Sequence, residues 1–368
     1  DNNGTIIVDG NGVRWKRANV HEEYYASWFG VSTHLDDNSP LIQNALNVMP
    51  SGSILIFGPG IYKCKQTIKI PDLYGDQLKY ITIQGSSKLP GDVFGYRTRL
   101  QYTGPNPSYL MPFIDFRGST GNKTFLGAIR NIMFYGLGKD SNIVGLWFYK
   151  CAGSLFDSVF VQSFKHGIQI DYHYYYSKFN DVLCAYCDYG LKANGIGNGA
   201  VFNYCNFKTS NVGFGYNLNG GFCSGVQLND CYFEGNKTAI KSHIRNSLHI
   251  HKCYFEGNTE YIIDVYNSNT NMSPLLVLKD SYMLIRPDDL VSNKAAIKQT
   301  LPSGGHMSYV INDNVITNEI TVPDYFIYVA GGNITIKAEN NMLTDPTNSF
   351  PICSKTPVET SYFNNDFS

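Results

Sequence analysis

The sequence has few charged residues and almost no net charge. Asp, Glu, Lys and Arg make up 16% of its 368 residues, and 29 basic side chains stand against 30 acidic ones. Globular proteins usually carry about a quarter charged residues, and nucleic-acid-binding proteins concentrate positive charge on one face. We therefore expect no nucleic-acid partner and no electrostatic attraction to an anionic membrane.

Long apolar runs and common catalytic motifs are also missing. Runs such as Ser53–Phe57 are far too short to cross a bilayer, so no membrane insertion is expected. No Walker A, HExxH or GxSxG sequence occurs. The nine cysteines are odd in number and mostly lie in apolar runs, which predicts buried, reduced thiols. Cys184 and Cys187 form one CxxC without a second pair, so we predict no metal site and no cofactor.

Internal repetition is the strongest pattern that is present. The hexapeptide CYFEGN at Cys231–Asn236 returns at Cys253–Asn258, which is 22 residues later. A relaxed form, two small or apolar residues separated by one position, continues in both directions at spacings of 22 to 33 residues. The pairs are Ile132/Phe134, Ser158/Phe160, Val182/Cys184, Cys205/Phe207, Cys231/Phe233, Cys253/Phe255, Ser281/Met283, Asn314/Ile316 and Asn340/Met342.

These repeats predict an all-β parallel β-helix. Apolar positions that recur at two, and not at three or four, indicate strands, and 35 glycines with 27 tyrosines and 22 phenylalanines suit strands and tight turns. Equivalent residues of neighbouring coils then stack about 4.8 Å apart. An aspartate precedes most inward pairs and is expected in a turn. These aspartates are Asp157, Asp181, Asp230, Asp280 and Asp313.

Two interruptions of the pattern are interpreted separately. Asn38-Ser39-Pro40 resembles a helix start, with Leu41, Ala45 and Leu46 at helical spacing, so residues 39–48 are predicted to form a short helix that caps the N-terminal end. The tyrosine-rich stretch Asp171–Lys178 is expected to be an inserted loop.

The first 65 residues resemble a known family. Around the predicted helix, the sequence is similar to the opening of the pectate-lyase-like β-helix superfamily. The residues that carry this resemblance are Asp36-Asp37, Ile42-Gln43, Ala45-Leu46, Gly52 and Ile56–Tyr62. The preceding Trp15–Arg17 and Ala26–Gly30 resemble the N-terminal segment common in bacteriophage tailspike depolymerases.

The resemblance implies a homotrimeric, right-handed, single-stranded parallel β-helix that cleaves a bacterial surface polysaccharide. Its location would be a virion tail or the extracellular space, and cleavage would proceed by glycoside hydrolysis or by β-elimination. We expect an N-terminal segment over 1–35, the β-helix over 36–345 and a C-terminal segment over 346–368. Catalytic residues are not shared across such proteins, so they must be sought in the repeats.

Strand alternation places one set of repeat residues on the outside. If Cys231 and Phe233 point inward, Tyr232 and Glu234 point outward, and Tyr254 and Glu256 follow one coil later. The repeat thus predicts an outward column Lys208, Glu234, Glu256 beside a column Asn206, Tyr232, Tyr254, Tyr282. A further strand of the same coils presents Gln227, Asn229, His249 and His251.

Two stacked carboxyl groups favour glycoside hydrolysis. A retaining glycosidase needs them about 5 Å apart and an inverting one about 6.5 to 9.5 Å apart, and neighbouring coils fall near the first value. We predict Glu234 and Glu256 as catalytic residues, with tyrosines as platforms for sugar rings. The predicted substrate-binding residues are Lys208, Tyr232, Tyr254, His249, His251 and Arg245.

Four alternatives stay open at this point. A Lys-Glu-Glu column is also a plausible charge ladder on a solvated face. A polysaccharide lyase would instead use a base and a cation, for which His249, His251, Lys208 and Arg245 are available. A non-catalytic glycan-binding adhesin has the same composition. In a trimer the groove can also lie between subunits, and the column would then be a binding wall.

Overall fold

The chain winds into stacked coils that share three parallel β-ladders. The computed structural model describes residues 6–16, 22–86, 97–216, 223–244, 247–266, 274–285, 295–318, 325–344, 354 and 359–366. Each coil contributes one short strand to ladders A, B and C in that order, and the register advances by 22 to 33 residues per coil. The predicted right-handed parallel β-helix is therefore confirmed.

Ladders A and B merge in some coils, where a single strand bends through both. These strands are Ala128–Tyr135, Leu155–Gln162, Lys178–Ala185 and Asn333–Thr344. The other strands of ladder A are Glu23–Tyr25, Ile54–Ile56, Thr82–Gln84, Val201–Asn203, Val226–Asn229, Ser247–His251, Leu275–Lys279, His306–Asn312 and Glu359–Asp366. Those of ladder B are Gly60–Cys64, Thr98–Tyr102, Asn206–Lys208, Tyr232–Glu234, Tyr254–Glu256, Tyr282–Ile285 and Val315–Asn318.

Ladder C forms the third face of the coils. Its strands are Ile68–Lys69, Met111–Phe116, Ile143–Ala152, His166–Tyr175, Tyr189–Ala193, Val212–Tyr216, Thr238–His243, Tyr261–Tyr266, Ala295–Thr300 and Tyr325–Val329. Short strands extend it at one side, namely Thr124–Phe125, Ile196–Asn198 and Cys223–Ser224. A separate antiparallel pair joins Ile6–Val8 to Arg14–Lys16.

The turn from ladder A to ladder B is built the same way in successive coils. One non-glycine residue per coil adopts a left-handed conformation there, with φ between 49° and 58°. These residues are Asn131, Ser158, Asp181, Tyr204, Asp230, Lys252, Asp280, Asp313 and Asn340. The predicted turn role of four aspartates is confirmed, whereas Asp157 lies in ladder A and Ser158 takes the turn position.

Stacked inward side chains fill the interior. Phe156, Phe179 and Phe202 lie on consecutive coils with ring centroids 4.4 and 4.3 Å apart, nearly parallel. Seven cysteines in the described part of the chain are free and buried, as predicted. Two predicted pairs are wrong by one residue, because the register aligns Val159/Val161 and Asn341/Leu343 with the column.

The predicted helix is present at the stated bounds, Ser39–Val48. It buries Ile42, Ala45 and Leu46 in the same core as the first coils, which matches its predicted capping role. A 3₁₀ turn at Ala26–Phe29 precedes it. The Asn38 side chain does not cap the helix; the Asp37 carboxylate instead accepts a hydrogen bond from the Ser39 backbone N–H at 3.0 Å. Neither described helix is long and apolar enough to span a membrane.

The tyrosine-rich stretch Asp171–Lys178 differs from the expectation of a loop. Ladder C continues through it, because the strand His166–Tyr175 pairs with Ile143–Ala152 along its length.

At the two ends of the chain, Glu23–Tyr25 pairs in parallel with Ile54–Ile56, and Glu359–Asp366 pairs with Asn333–Thr344.

Candidate active site

The two repeated Tyr-Phe-Glu segments form adjacent rungs of ladder B. Tyr232 pairs with Tyr254, Phe233 with Phe255 and Glu234 with Glu256. The two phenylalanines are fully buried and stack with ring centroids 4.9 Å apart. Strand alternation therefore directs both glutamates outward, as the sequence predicts, on rungs about 4.8 Å apart.

Turns on both sides fix these short strands. Asp230 and Lys252 hold the left-handed turn before each strand, and Gly235 and Gly257 follow each glutamate with φ of 64° and 63°. Because a single glycine conformation repeats after both glutamates, the two side chains leave the ladder at the same place in their coils.

The two glutamates have different neighbours. Glu234 is half exposed, and one of its carboxylate oxygens lies 3.8 Å from the ammonium of Lys208, its register partner on the preceding coil. Glu256 is less exposed, and one of its oxygens accepts a hydrogen bond of 2.8 Å from the Tyr254 hydroxyl. On its other side Glu256 pairs in register with Leu284. One carboxylate thus faces a cation, and the other is held by a phenol.

The predicted tyrosine column lies beside the glutamates. Tyr254 and Tyr282 stack nearly parallel, with ring centroids 5.4 Å apart, and Tyr232 tilts toward Tyr254 at 5.9 Å. Half of the Tyr232 surface is exposed. Flat amphipathic rings in this position suit contact with the apolar faces of sugars.

The two histidines lie on the adjoining ladder A. His249 pairs in register with Gln227 and Val277, and His251 with Asn229 and Lys279. A ring nitrogen of His251 lies 2.7 Å from a carboxylate oxygen of Asp280, so a turn residue of the next coil engages this histidine. His249 and His251 therefore lie on the strand that precedes the Lys252 turn, and Glu256 lies on the strand that follows it. Arg245, the remaining predicted binding residue, lies outside the described residues.

Sequence reasoning missed a polar group on ladder C. Trp147, His166, Gln169, Asp171 and Lys192 face outward there and form one hydrogen-bonded cluster. The available signal was the run His166–Tyr176, in which apolar and polar residues alternate before the tyrosines. The sequence shows the alternation within this run, but it does not show that residues from three coils contact one another.

Comparisons with known proteins identify relatives in fold. No protein-family model and no curated protein sequence matches the chain. A solved structure of a Geobacillus virus E2 protein, the product of open reading frame 18, is 16% identical, with a TM-score of 0.64 over 92% of this chain and 67% of that one. The tailspike protein of Acinetobacter phage vB_ApiP_P1 is also 16% identical, with a TM-score of 0.62 over 100% of this chain and 68% of that one.

An enzyme is among the similar structures. The catalytic unit of a GH87 α-1,3-glucanase from Streptomyces thermodiastaticus is 10% identical, with a TM-score of 0.52 over 94% of this chain and 70% of that one. At such identities the likeness concerns the fold. The chain therefore has the parallel β-helix fold found in phage tailspike proteins and in this glucanase, which confirms the resemblance in fold that the sequence indicates.

Proposed function

We propose that this protein is a tailspike-type depolymerase, an endo-acting glycoside hydrolase that cleaves a bacterial surface polysaccharide such as a capsule or an O-antigen. The observation that carries the proposal is the pairing of Glu234 with Glu256 on adjacent outward rungs. The tailspike among the fold relatives supports a virion-tail location. Homotrimeric assembly is part of the proposal and follows from the resemblance of the first 65 residues alone. The polysaccharide is the expected partner.

The spacing of the rungs supports a retaining mechanism. Carboxyl groups about 5 to 5.5 Å apart allow one to act as nucleophile and the other as proton donor. We assign the nucleophile role to Glu234, whose carboxylate lies 3.8 Å from the Lys208 ammonium. We assign the proton-donor role to Glu256, which pairs in register with Leu284 and accepts the Tyr254 hydroxyl hydrogen bond.

The reaction then has two balanced steps. The Glu234 carboxylate attacks the anomeric carbon, and the glycosidic C–O bond breaks as the Glu256 proton moves to the leaving oxygen. In the second step Glu256 removes a proton from water while that water attacks the anomeric carbon, and the ester to Glu234 breaks. The tyrosine column beside the glutamates would hold the polymer during both steps.

The test is to assay Glu234→Gln and Glu256→Gln separately against purified capsular and O-antigen polysaccharides, following viscosity and new reducing ends. Each variant should lose at least about a hundredfold in rate, the usual contribution of a catalytic acid or base. Glu339→Gln serves as the control, because Glu339 lies outward on ladder A and pairs with Lys337.

Three results would contradict the proposal. Wild-type rates in both glutamine variants would remove these residues from catalysis. An ultraviolet absorbance from unsaturated uronate ends would show β-elimination in place of hydrolysis. Binding of the polymer without new chain ends would make the protein an adhesin.

A further inference from the structure

The outer face of ladder C carries polar residues that are buried. Asp115, Trp147, Gln169 and Lys192 occupy one register column on four successive coils. Their sequence neighbours Ile114, Leu146 and Ile168 belong to the interior core, so this column points outward. Asp115, Trp147 and Gln169 are nevertheless less than a tenth exposed. Buried polar groups need partners, and here the partners are Arg117, Asp171 and His166, which lie beside the column.

Asp171 is the centre of this cluster. One of its carboxylate oxygens accepts hydrogen bonds from the Gln169 amide at 2.7 Å and the Asn194 amide at 3.3 Å, and the other accepts one from the Trp147 indole at 2.5 Å. The Trp147 ring also contacts Arg117, whose guanidinium lies 3.9 Å from the centre of the indole. Three neutral donors thus hold the Asp171 carboxylate in one position.

The same contacts fix the orientation of His166. The Asp171 carboxylate can only accept hydrogen bonds, so the Gln169 amide nitrogen must face it. The Gln169 oxygen therefore faces Nδ1 of His166 at 2.6 Å and accepts a hydrogen bond from the Nδ1–H group. Nε2 of His166 then keeps its lone pair and faces the Lys192 ammonium at 3.4 Å. Burial and the Lys192 ammonium lower the pKa of His166 to about 4, in agreement with this neutral tautomer.

Lys192 is therefore positioned by a buried chain of hydrogen bonds but is itself partly exposed. Its ammonium lies 5.2 Å from the centre of the Tyr189 ring. Burial lowers the pKa of Lys192, whereas the nearby carboxylates of Asp188 and Asp171 act in the opposite direction. Neither forms an ion pair of 4.0 Å or less with Lys192 among the described residues. A lysine that is oriented by a neutral histidine, and not neutralised by an ion pair, retains donors for an external anion.

A β-bulge places an aromatic surface next to this cluster. Phe148 pairs with Ile170, but Lys150 pairs with His173, so the strand His166–Tyr175 contains one extra residue. Tyr172 is 43% exposed and stacks on Tyr149 with ring centroids 5.2 Å apart and planes 7° apart. The Lys150 ammonium lies 5.5 and 5.3 Å from the centres of these two rings.

We propose that the bulged region of ladder C is a second glycan-binding site, which takes negatively charged sugar units. The stacked rings of Tyr149 and Tyr172 would contact sugar faces. Lys192 and Lys150 would bind carboxylate or phosphate groups of nearby units, since their register positions lie four residues apart, roughly 13 Å along a strand. The inference rests on the proposed function and deepens it by assigning an acidic polymer as the substrate class.

The experiment is calorimetric titration of the full chain with three hexasaccharide-sized probes. Hexagalacturonate supplies carboxylates, a phosphodiester-linked glycerol-sugar oligomer supplies phosphates, and maltohexaose is neutral. We expect one of the two anionic probes to bind at least tenfold more tightly than maltohexaose, and its affinity to fall with added salt. Which of the two binds identifies the anion.

Variants separate the site from general charge effects. Lys192→Met and Tyr172→Ala should each weaken anionic binding at least tenfold, whereas Lys192→Arg should retain it within a few fold. Lys63→Met is the matched control, because it removes the same charge from ladder B near the N-terminal end and should leave binding unchanged. Thermal unfolding of each variant checks that it is folded.

Several outcomes would overturn the inference. These are the absence of binding by both anionic probes, equal binding of maltohexaose, and wild-type affinity in Lys192→Met. Failure of the proposed hydrolase is distinguishable, because it is read from chain cleavage by the glutamine variants, whereas binding at Lys192 is measured without cleavage and should persist in Glu234→Gln.

Discussion

Asn258 holds the turn of the preceding coil through its side chain. Its side-chain oxygen lies 3.2 Å from both the backbone nitrogen and the Nδ2 atom of Asn236, while its own Nδ2 donates to the Phe233 carbonyl at 3.0 Å. Both asparagines are buried. The asparagine of the second CYFEGN repeat therefore fixes the turn that follows Glu234.

Replacement of this asparagine should destabilise the protein. Asn258→Ala leaves the Asn236 backbone N–H and the Phe233 carbonyl without their partners, and each unsatisfied buried group costs about 1 to 3 kcal/mol. We expect a loss of about 3 kcal/mol in the free energy of unfolding by urea. Asn229→Ala, which removes a partly exposed bond to Asn203 on the outside, should cost less than about 1 kcal/mol. Equal losses in the two variants would contradict this account.

A column of glycines in ladder C allows the backbones of successive coils to approach closely. A Cβ atom on Gly190 would lie 2.5 Å from the carbonyl oxygen of Gly213 on the next coil, and one on Gly167 would lie 2.5 Å from that of Gly190. Gly190→Ala should therefore cost about 1 to 3 kcal/mol, since backbone must move to admit the methyl group. A Cβ atom on Gly10 would have no atom within 4 Å, so Gly10→Ala should change the free energy of unfolding very little. Urea unfolding of both variants measures this difference, and equal free energies of unfolding would contradict the prediction.

His166 should make stability fall in mild acid. Burial lowers its pKa from 6.5 to about 4, so between these pH values the unfolded chain binds more protons than the folded one. The free energy of unfolding should then decrease as pH falls from about 6.5 to 4, by an amount on the order of 2 to 3 kcal/mol. His166→Gln should flatten this dependence, and His34→Gln, at an exposed position, should leave it in place. A wild-type slope in His166→Gln would refute the assignment.

The Tyr254 hydroxyl should matter for catalysis beyond its ring. Tyr254→Phe keeps the stacking on Tyr282 but removes the hydrogen bond to Glu256. The hydroxyl stabilises the carboxylate that forms as Glu256 gives up its proton, and hydrogen bonds to charged groups contribute about 1.5 to 3 kcal/mol. We therefore expect kcat to fall about 10- to 100-fold with little change in KM. Tyr232→Phe is the matched variant on the neighbouring rung. A decrease confined to KM would indicate that Tyr254 only binds the polymer.

Predictions from the repeat succeeded where local spacing decides the structure. The CYFEGN segments contain their inward phenylalanine, outward glutamate and turn glycine within six residues, so their register and direction were readable. They failed where neighbouring residues have similar properties. Ser158 and Val159 differ by one position, and only the pairing with Ile132 shows which of them faces inward.

The ladder C cluster shows the limit of a linear pattern. The stretch Asp171–Lys178 is predicted to be an inserted loop, yet one bulge accommodates Tyr172, Tyr174 and Tyr175 within a strand, and only Tyr176 lies in the turn that follows. No spacing along the chain predicts that Asp171 meets Trp147 from the coil before and Asn194 from the coil after.

The sequence by itself determined the coil: its length, its alternating faces, its capping helix and the column that carries Glu234 and Glu256. These features depend on side-chain volume and turn preference over a few residues, which the linear order contains. The tertiary structure decided the partners of other polar side chains, such as Trp147 for Asp171, Asp280 for His251 and Lys192 for His166. Those pairings depend on the stacking offset between coils, and loops of different lengths hide that offset from the linear sequence.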